Sequence, residues 1–139
     1  MEKVLVKYCN LGDLEIVSLL LSKFKIDVHY QNESPFLSAC SSGNLDLVKH
    51  LLNNYPDINV KINNLDAFAL AASSGSQILL DFLLKSYPDI DIHIDNEKIF
   101  IASCNGNLEI VQYLLSTYPD INVHAQNDKA FFSSCRIGN

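Results

Sequence analysis

Along residues 45–52 the apolar side chains Leu45, Val48, Leu51 and Leu52 recur at i, i+3, i+6 and i+7. That spacing puts them on one stripe of a helix with 3.6 residues per turn, with polar residues opposite. A shorter segment rich in small and apolar residues, Pro35-Phe36-Leu37-Ser38-Ala39-Cys40, comes before it, and Ser41-Ser42-Gly43-Asn44 lies between the two. The pattern predicts helix, turn, helix. Gly43 supplies the positive φ that side chains resist. The residue after each such glycine (Asp13, Asn44, Ser76, Asn107) can accept the first amides of the new helix. After the second helix Tyr55 must leave the α region because Pro56 follows it, and Asp57-Ile58-Asn59-Val60 continues as a short extended loop.

This unit repeats. The five glycines, Gly12, Gly43, Gly75, Gly106 and Gly138, are spaced 31, 32, 31 and 32 residues apart, and Pro56, Pro88 and Pro119 each follow a glycine by 13 residues inside Tyr-Pro-Asp-Ile. A fixed period of this length is the signature of a repeat architecture. The 139 residues are expected to form a single domain, 1–139, with units at about 2–31, 32–63, 64–95 and 96–126 and a half unit at 127–139. One helix pair exposes apolar residues on both sides, so each unit has to be covered by its neighbours. The half unit, Lys129 to Asn139, spells a first helix without its partner, as either a terminal cap or the edge of a longer array.

The recurring landmarks resemble those of the ankyrin-repeat family over nearly the whole chain. Ser34-Pro35-Phe36-Leu37, Ala39-Cys40 and Gly43-Asn44-Leu45 are similar to the family's Thr-Pro-Leu-His, Ala-Ala and Gly-His-Leu, and Leu51-Leu52 and Asp57-Ile58-Asn59 fall where it has Leu-Leu and Asp-Val-Asn. The third unit keeps Phe68, Ala71, Ala72, Gly75, Leu80, Leu83 and Leu84, and the fourth keeps Ile99, Ala102, Gly106, Leu108, Val111, Leu114 and Leu115. The first is weaker. Tyr55, Tyr87 and Tyr118 replace the usual glycine after the second helix, a Tyr-Pro-Asp-Ile-Asn variety resembling the ankyrin families of amoeba-infecting giant DNA viruses and protists. The resemblance implies an all-α ankyrin-repeat solenoid of stacked helix-turn-helix units with short extended loops.

Charge and chemistry narrow the function classes. Ten Lys and Arg against sixteen Asp and Glu, net -6, argue against nucleic acid as partner, which needs clustered cations. No apolar run approaches the ~20 residues of a membrane span. Cys9, Cys40 and Cys135 each precede a repeat glycine by three residues, where other units have Ala72 and Ser103. With Cys104 they are expected to be buried reduced thiols. His29, His93 and His124 form another column, with Lys61 in the remaining unit, and are expected to make loop hydrogen bonds or surface contacts. Neither column has zinc-type spacing. His50 has no recognisable catalytic partner, and Asp57, Asp89 and Asp120 read as loop residues. No cofactor, no metal and no enzymatic activity are expected.

The family resemblance implies a protein partner on the concave side, at the loop tips and the exposed ends of the first helices. Carried over position by position, the candidates are Glu33, Ser41, Ser42, Lys61, Asn63, Leu65, Ser73, Ser74, His93, Asp95, Glu97, Asn105, His124, Gln126 and Asp128. Acids outnumber bases in these loops, which points to a neutral or basic partner. The expected function is a cytoplasmic, monomeric scaffold or adaptor. The alternative is a structural segment of a longer ankyrin-containing polypeptide.

Overall fold

Among the described residues the chain forms nine helices and no strand: α1 (Glu2–Asn10), α2 (Leu14–Lys23), α3 (Tyr30–Ser42), α4 (Leu45–Asn54), α5 (Ile62–Ser74), α6 (Gln77–Ser86), α7 (Ile94–Ser103), α8 (Leu108–Thr117) and α9 (Ala125–Ile137). The computed structural model describes residues 1–105 and 107–137. The helices alternate as the expected pairs, an all-α repeat fold, and group into two units, Met1–Ala67 and Phe68–Asn139.

The turn between paired helices follows from its sequence. Gly12, Gly43 and Gly75 have φ of 70°, 74° and 88°; Gly106 and Gly138 lie outside the described residues. The next side chain then caps the second helix. Asp13 Oδ1 accepts from the Ile16 N–H at 3.0 Å, Asn44 Oδ1 from Leu47 at 3.1 Å, Ser76 Oγ from Leu79 at 3.4 Å and Asn107 Oδ1 from Ile110 at 3.3 Å. Such caps contribute about 1 kcal/mol each. At the far end Tyr55, Tyr87 and Tyr118 sit at φ -134°, -130° and -127° with ψ 75°, 70° and 80°, so proline rather than a left-handed glycine stops these helices. The Ile58 N–H then donates to the Tyr55 carbonyl at 3.2 Å, and Ile121 to Tyr118 at 3.2 Å, closing turns over Pro-Asp.

In the first unit α1 packs on α3, with α2 against α1 and α4 against α3. Leu5, Cys9, Val17, Phe36, Ala39, Cys40, Leu47, Val48 and Leu51 are fully buried there. Burial of each larger side chain contributes about 1.5–3 kcal/mol. The buried arc of α4 is rotated from the expected stripe: Leu47 joins Val48 and Leu51, whereas Leu45 and Leu52 are only half-buried. Leu47 lies ~100° round the helix from Val48, so α4 buries a broad face and not a narrow seam. Successive pairs are also tied at their turns, since Asn44 Nδ2 donates to the Gly12 carbonyl at 2.8 Å.

In the second unit α7 packs on α8 and α9, and α6 on α8. Phe68, Ala71, Ala72, Leu79, Leu80, Leu83, Ile99, Ile110 and Leu114 form its core. The Tyr87 ring meets Phe68 edge-on at 6.4 Å, and the Tyr113 hydroxyl on α8 donates to Asp81 Oδ1 on α6 at 2.9 Å. The thiols of Cys9, Cys40 and Cys104 are buried. Burial pushes Cys9 up to about 12 and raises Cys40 and Cys104 as well, so these are poor nucleophiles. Cys135 departs from the expectation. It is exposed, because it lies on α9, which has no later helix packed over it among the described residues.

A methyl group added at Gly75 would meet Asn107 Nδ2 at 2.6 Å, on a backbone already at φ 88°. Gly75→Ala should therefore lower stability by about 1–2 kcal/mol, read as a lower urea midpoint with unchanged helical content. An unchanged midpoint would contradict the packing of these two turns.

Candidate binding surface

Each loop that leads into a first helix is built the same way. An Asx side chain accepts the amide two residues on: Asp27 Oδ1 from His29, Asn59 Oδ1 from Lys61, Asp91 Oδ1 from His93 and Asn122 Oδ1 from His124, at 2.9–3.1 Å. Three consecutive residues then take left-handed backbone: 31–33, 63–65, 95–97 and 126–128, with φ between 47° and 68°. Such conformations cost about 1–2 kcal/mol per residue for most side chains and least for Asn and Asp. The middle residue is asparagine each time, Asn32, Asn64, Asn96 and Asn127.

The left-handed turn swings its third residue inward. Glu33, Leu65 and Glu97 are buried, at 6%, 4% and 4% exposure, so these three are removed from the expected partner-binding surface. Glu33 Oε1 pairs with His29 Nδ1 at 2.9 Å and accepts the Asn59 N–H of the following loop at 3.1 Å, and His29 Nε2 reaches Asp57 Oδ2 at 3.1 Å. The second unit repeats the arrangement: Glu97 Oε1 with His93 Nδ1 at 2.8 Å and the Asn122 N–H at 3.0 Å, and His93 Nε2 with Asp120 Oδ2 at 3.2 Å. Glu33 Oε2 and Glu97 Oε2 are buried and make no hydrogen bond among the described residues. His124 pairs with Asp128 at the same spacing. Where His becomes Lys61, the acid becomes Leu65, and the site is closed by an apolar side chain instead.

Hydrogen bonding to the Glu33 carboxylate, opposed by desolvation and aided by the charges of Glu33 and Asp57, raises the pKa of His29 above 6.5. Glu97 and Asp120 act in the same way on His93. The stabilisation from each pair is therefore fully present below pH 6.5 and is lost as pH rises through the folded-state pKa. In chemical function these are loop braces.

Of the remaining candidates, Ser41, Lys61, Asn63, Ser73, Asp95, Asn105 and His124 are exposed, and Ser42, Ser74, His93, Gln126 and Asp128 are half-buried. Ser42 and Ser74 work within the turns, donating to the Ala39 and Ala71 carbonyls at 2.7 and 2.8 Å and accepting the amides of Asn44 and Ser76. Gln126 Nε2 donates to the Asp95 and Asn96 carbonyls at 2.9 and 3.2 Å. In the second unit an open groove of about 610 Å³ runs between α7 and α9, with Lys98, Asn105, Gln126, Lys129, Phe132 and Arg136 among its lining residues. Among the described residues no carboxylate lines it.

His50 Nε2 lies 3.4 Å from Ser18 Oγ, the repeat equivalent of the Tyr113–Asp81 contact. No described hydrogen bond orients the other ring nitrogen, so the pair braces α2 against α4. Among the described residues no group of three or more His, Cys, Asp or Glu side chains could hold a metal ion. Sequence reasoning missed Lys98, Lys129 and Phe132. For the two lysines the signal was their succession at 98 and 129 in a column that reads Lys3, Ser34 and Asp66 in the first three units.

Comparison with known proteins agrees with the geometry. Residues 2–62 match a family model of ankyrin repeats in three copies, and residues 99–128 match that of a single ankyrin repeat. No curated protein matches the chain.

Proton NMR titration should place the His29 and His93 midpoints above 6.5. Glu33→Gln should bring His29 back towards 6.5 while leaving His93 where it was. Equal movement of both, or of neither, would refute the local pairing.

Proposed function

We propose, because this chain carries ankyrin repeats, that it is a protein-interaction module, a scaffold or adaptor that holds a protein partner against the loop tips and inner-helix ends of its units. Ankyrin repeats are generally non-enzymatic interaction modules. The observation that carries the reading for this chain is a division of labour within each repeat. Positions that recur from unit to unit are spent on caps, turns and loop braces, while two exposed columns change their chemistry along the chain, Asn63 against Asp95 and Ser41 and Ser73 against Asn105. Exposed variation on a braced frame gives a rigid surface whose chemistry is adjustable.

No helix among the described residues is long and apolar enough to cross a membrane, and the reading places the module, as a monomer and single domain, in the cytoplasm. For the virus-like Tyr-Pro-Asp-Ile-Asn variety that compartment is the host cell's.

One observation supports the second reading, a structural segment of a longer array. On α9, Phe131 and Phe132 are 64% and 65% exposed, whereas their counterparts on α7, Phe100 and Ile101, are 3% and 6% exposed. A further helix pair would cover that face as α8 and α9 cover α7. Appending one consensus helix pair after residue 139 should then raise the urea midpoint, and an unchanged midpoint would remove this support.

The interaction reading is tested by affinity capture from cells with the chain as bait, beside a Ser41→Arg variant and a Ser73→Arg, Asn105→Arg variant. These residues are solvent-facing, so circular dichroism should not change. A captured partner should be lost, by tenfold or more in recovered amount, with at least one variant. Full retention by both would overturn the reading.

A further inference from the structure

We propose that the groove between α7 and α9 receives an acidic peptide segment of a protein partner, anchored by one large apolar side chain; this rests on the interaction-module reading above. The chain as a whole is acidic, with a formal charge of -6. The groove is not. Lys98, Lys129 and Arg136 line it, and no Asp or Glu does. Lys98 is already engaged by Asp95 at 3.8 Å. Lys129 Nζ donates only to the neutral Gln126 Oε1, at 3.2 Å, and among the described residues neither Lys129 nor Arg136 forms an ion pair with a carboxylate.

This concentration of cations is particular to the second unit. In repeat register Lys98 and Lys129 stand where the first three repeats have Lys3, Ser34 and Asp66, so only the second unit has lysine in two adjacent repeats, and Arg136 stands where the earlier repeats have Asn10, Ser41, Ser73 and Asn105. The groove also offers an apolar contact. Ile101 lines it from α7, and the ring of Phe132, 65% exposed, lines it from α9. Its rim is fixed, because Gln126 holds the two left-handed turns together through the Asp95 and Asn96 carbonyls. A volume of about 610 Å³ takes a few side chains. An extended segment fits this chemistry if its carboxylates meet Lys129 and the forked guanidinium of Arg136 while a Leu or Phe rests on Phe132. A basic or purely polar segment leaves the cations opposed or uncompensated.

Fluorescence anisotropy of two labelled dodecapeptides on the intact chain tests this. One has glutamates around a central Leu-Phe pair; the other replaces every glutamate by lysine. The acidic peptide should bind, weaken as sodium chloride is raised, and lose at least tenfold in affinity on Lys129→Glu, Arg136→Glu. Both residues are exposed, and circular dichroism checks that the variant stays folded; Phe132→Ser should weaken the acidic peptide too. If the lysine peptide binds the unaltered chain as well or better, or the charge reversal changes nothing, the acidic-partner inference falls and the interaction-module reading stands. If neither peptide binds, the inference also falls, and the cell-capture experiment decides the module reading separately.

Discussion

No helix pair in this chain can cover its own apolar residues, and everything else follows from that constraint. In α4, Leu47, Val48 and Leu51 are fully buried over a face too broad for one partner helix. The remaining cover comes from neighbouring repeats, as α3 packs on both α1 and α4. Stability is then a sum over adjacent interfaces, and the turns have to hold a strict spacing. A glycine at positive φ, followed at once by a capping Asp, Asn or Ser, provides that spacing in the fewest residues. The same Asn44 that caps α4 also grips the Gly12 carbonyl of the previous turn, so cap and stacking contact are one side chain.

The loops face a different problem, because a stretch without helical hydrogen bonds has to be rigid to present a binding surface. The chain meets it with three left-handed residues in succession and a buried acid. Carboxylate burial is costly without partners, and Glu33 and Glu97 each find a histidine and a backbone amide of the following loop on one oxygen. The acid therefore joins two successive repeats, which a solvent-facing acid could not do. Replacement of the pair by Lys61 and Leu65 in one unit shows that the position demands burial first and charge second.

Much of this was legible from residues alone. The glycine and proline spacing placed the helices, the caps and the Tyr-Pro stops, since each depends on local backbone chemistry. The binding surface was less legible. The His29 column was expected to make loop hydrogen bonds or surface contacts, but Glu33 was placed on the partner-binding surface, so the two were not paired. What brings them together is backbone handedness, and the clue was the asparagine recurring at 32, 64, 96 and 127. The covariation of His with Glu or Asp and of Lys with Leu four residues on was a second clue. Cys135 was misjudged for a different reason: repeat register predicts burial only where a next repeat supplies the cover.

Charge shows how far a sequence sum can stray from a site. The loops of this chain carry more acid than base, and a partner inferred from that sum would be neutral or basic. Once the handedness of the loops is fixed, two of the acids, Glu33 and Glu97, point inward and are hydrogen-bonded by histidine braces, and Asp57 and Asp120 are engaged by the same histidines. Meanwhile the first-helix column that reads Lys3, Ser34 and Asp66 in the first three repeats is lysine at both 98 and 129. The field a ligand meets in the second unit is set by these few residues and not by the net charge, because solvent screens distant charges within about 10 Å at 0.1 M salt. An acidic protein can therefore hold a cationic groove, and burying the acids in the frame is what leaves that groove to its lysines and arginine.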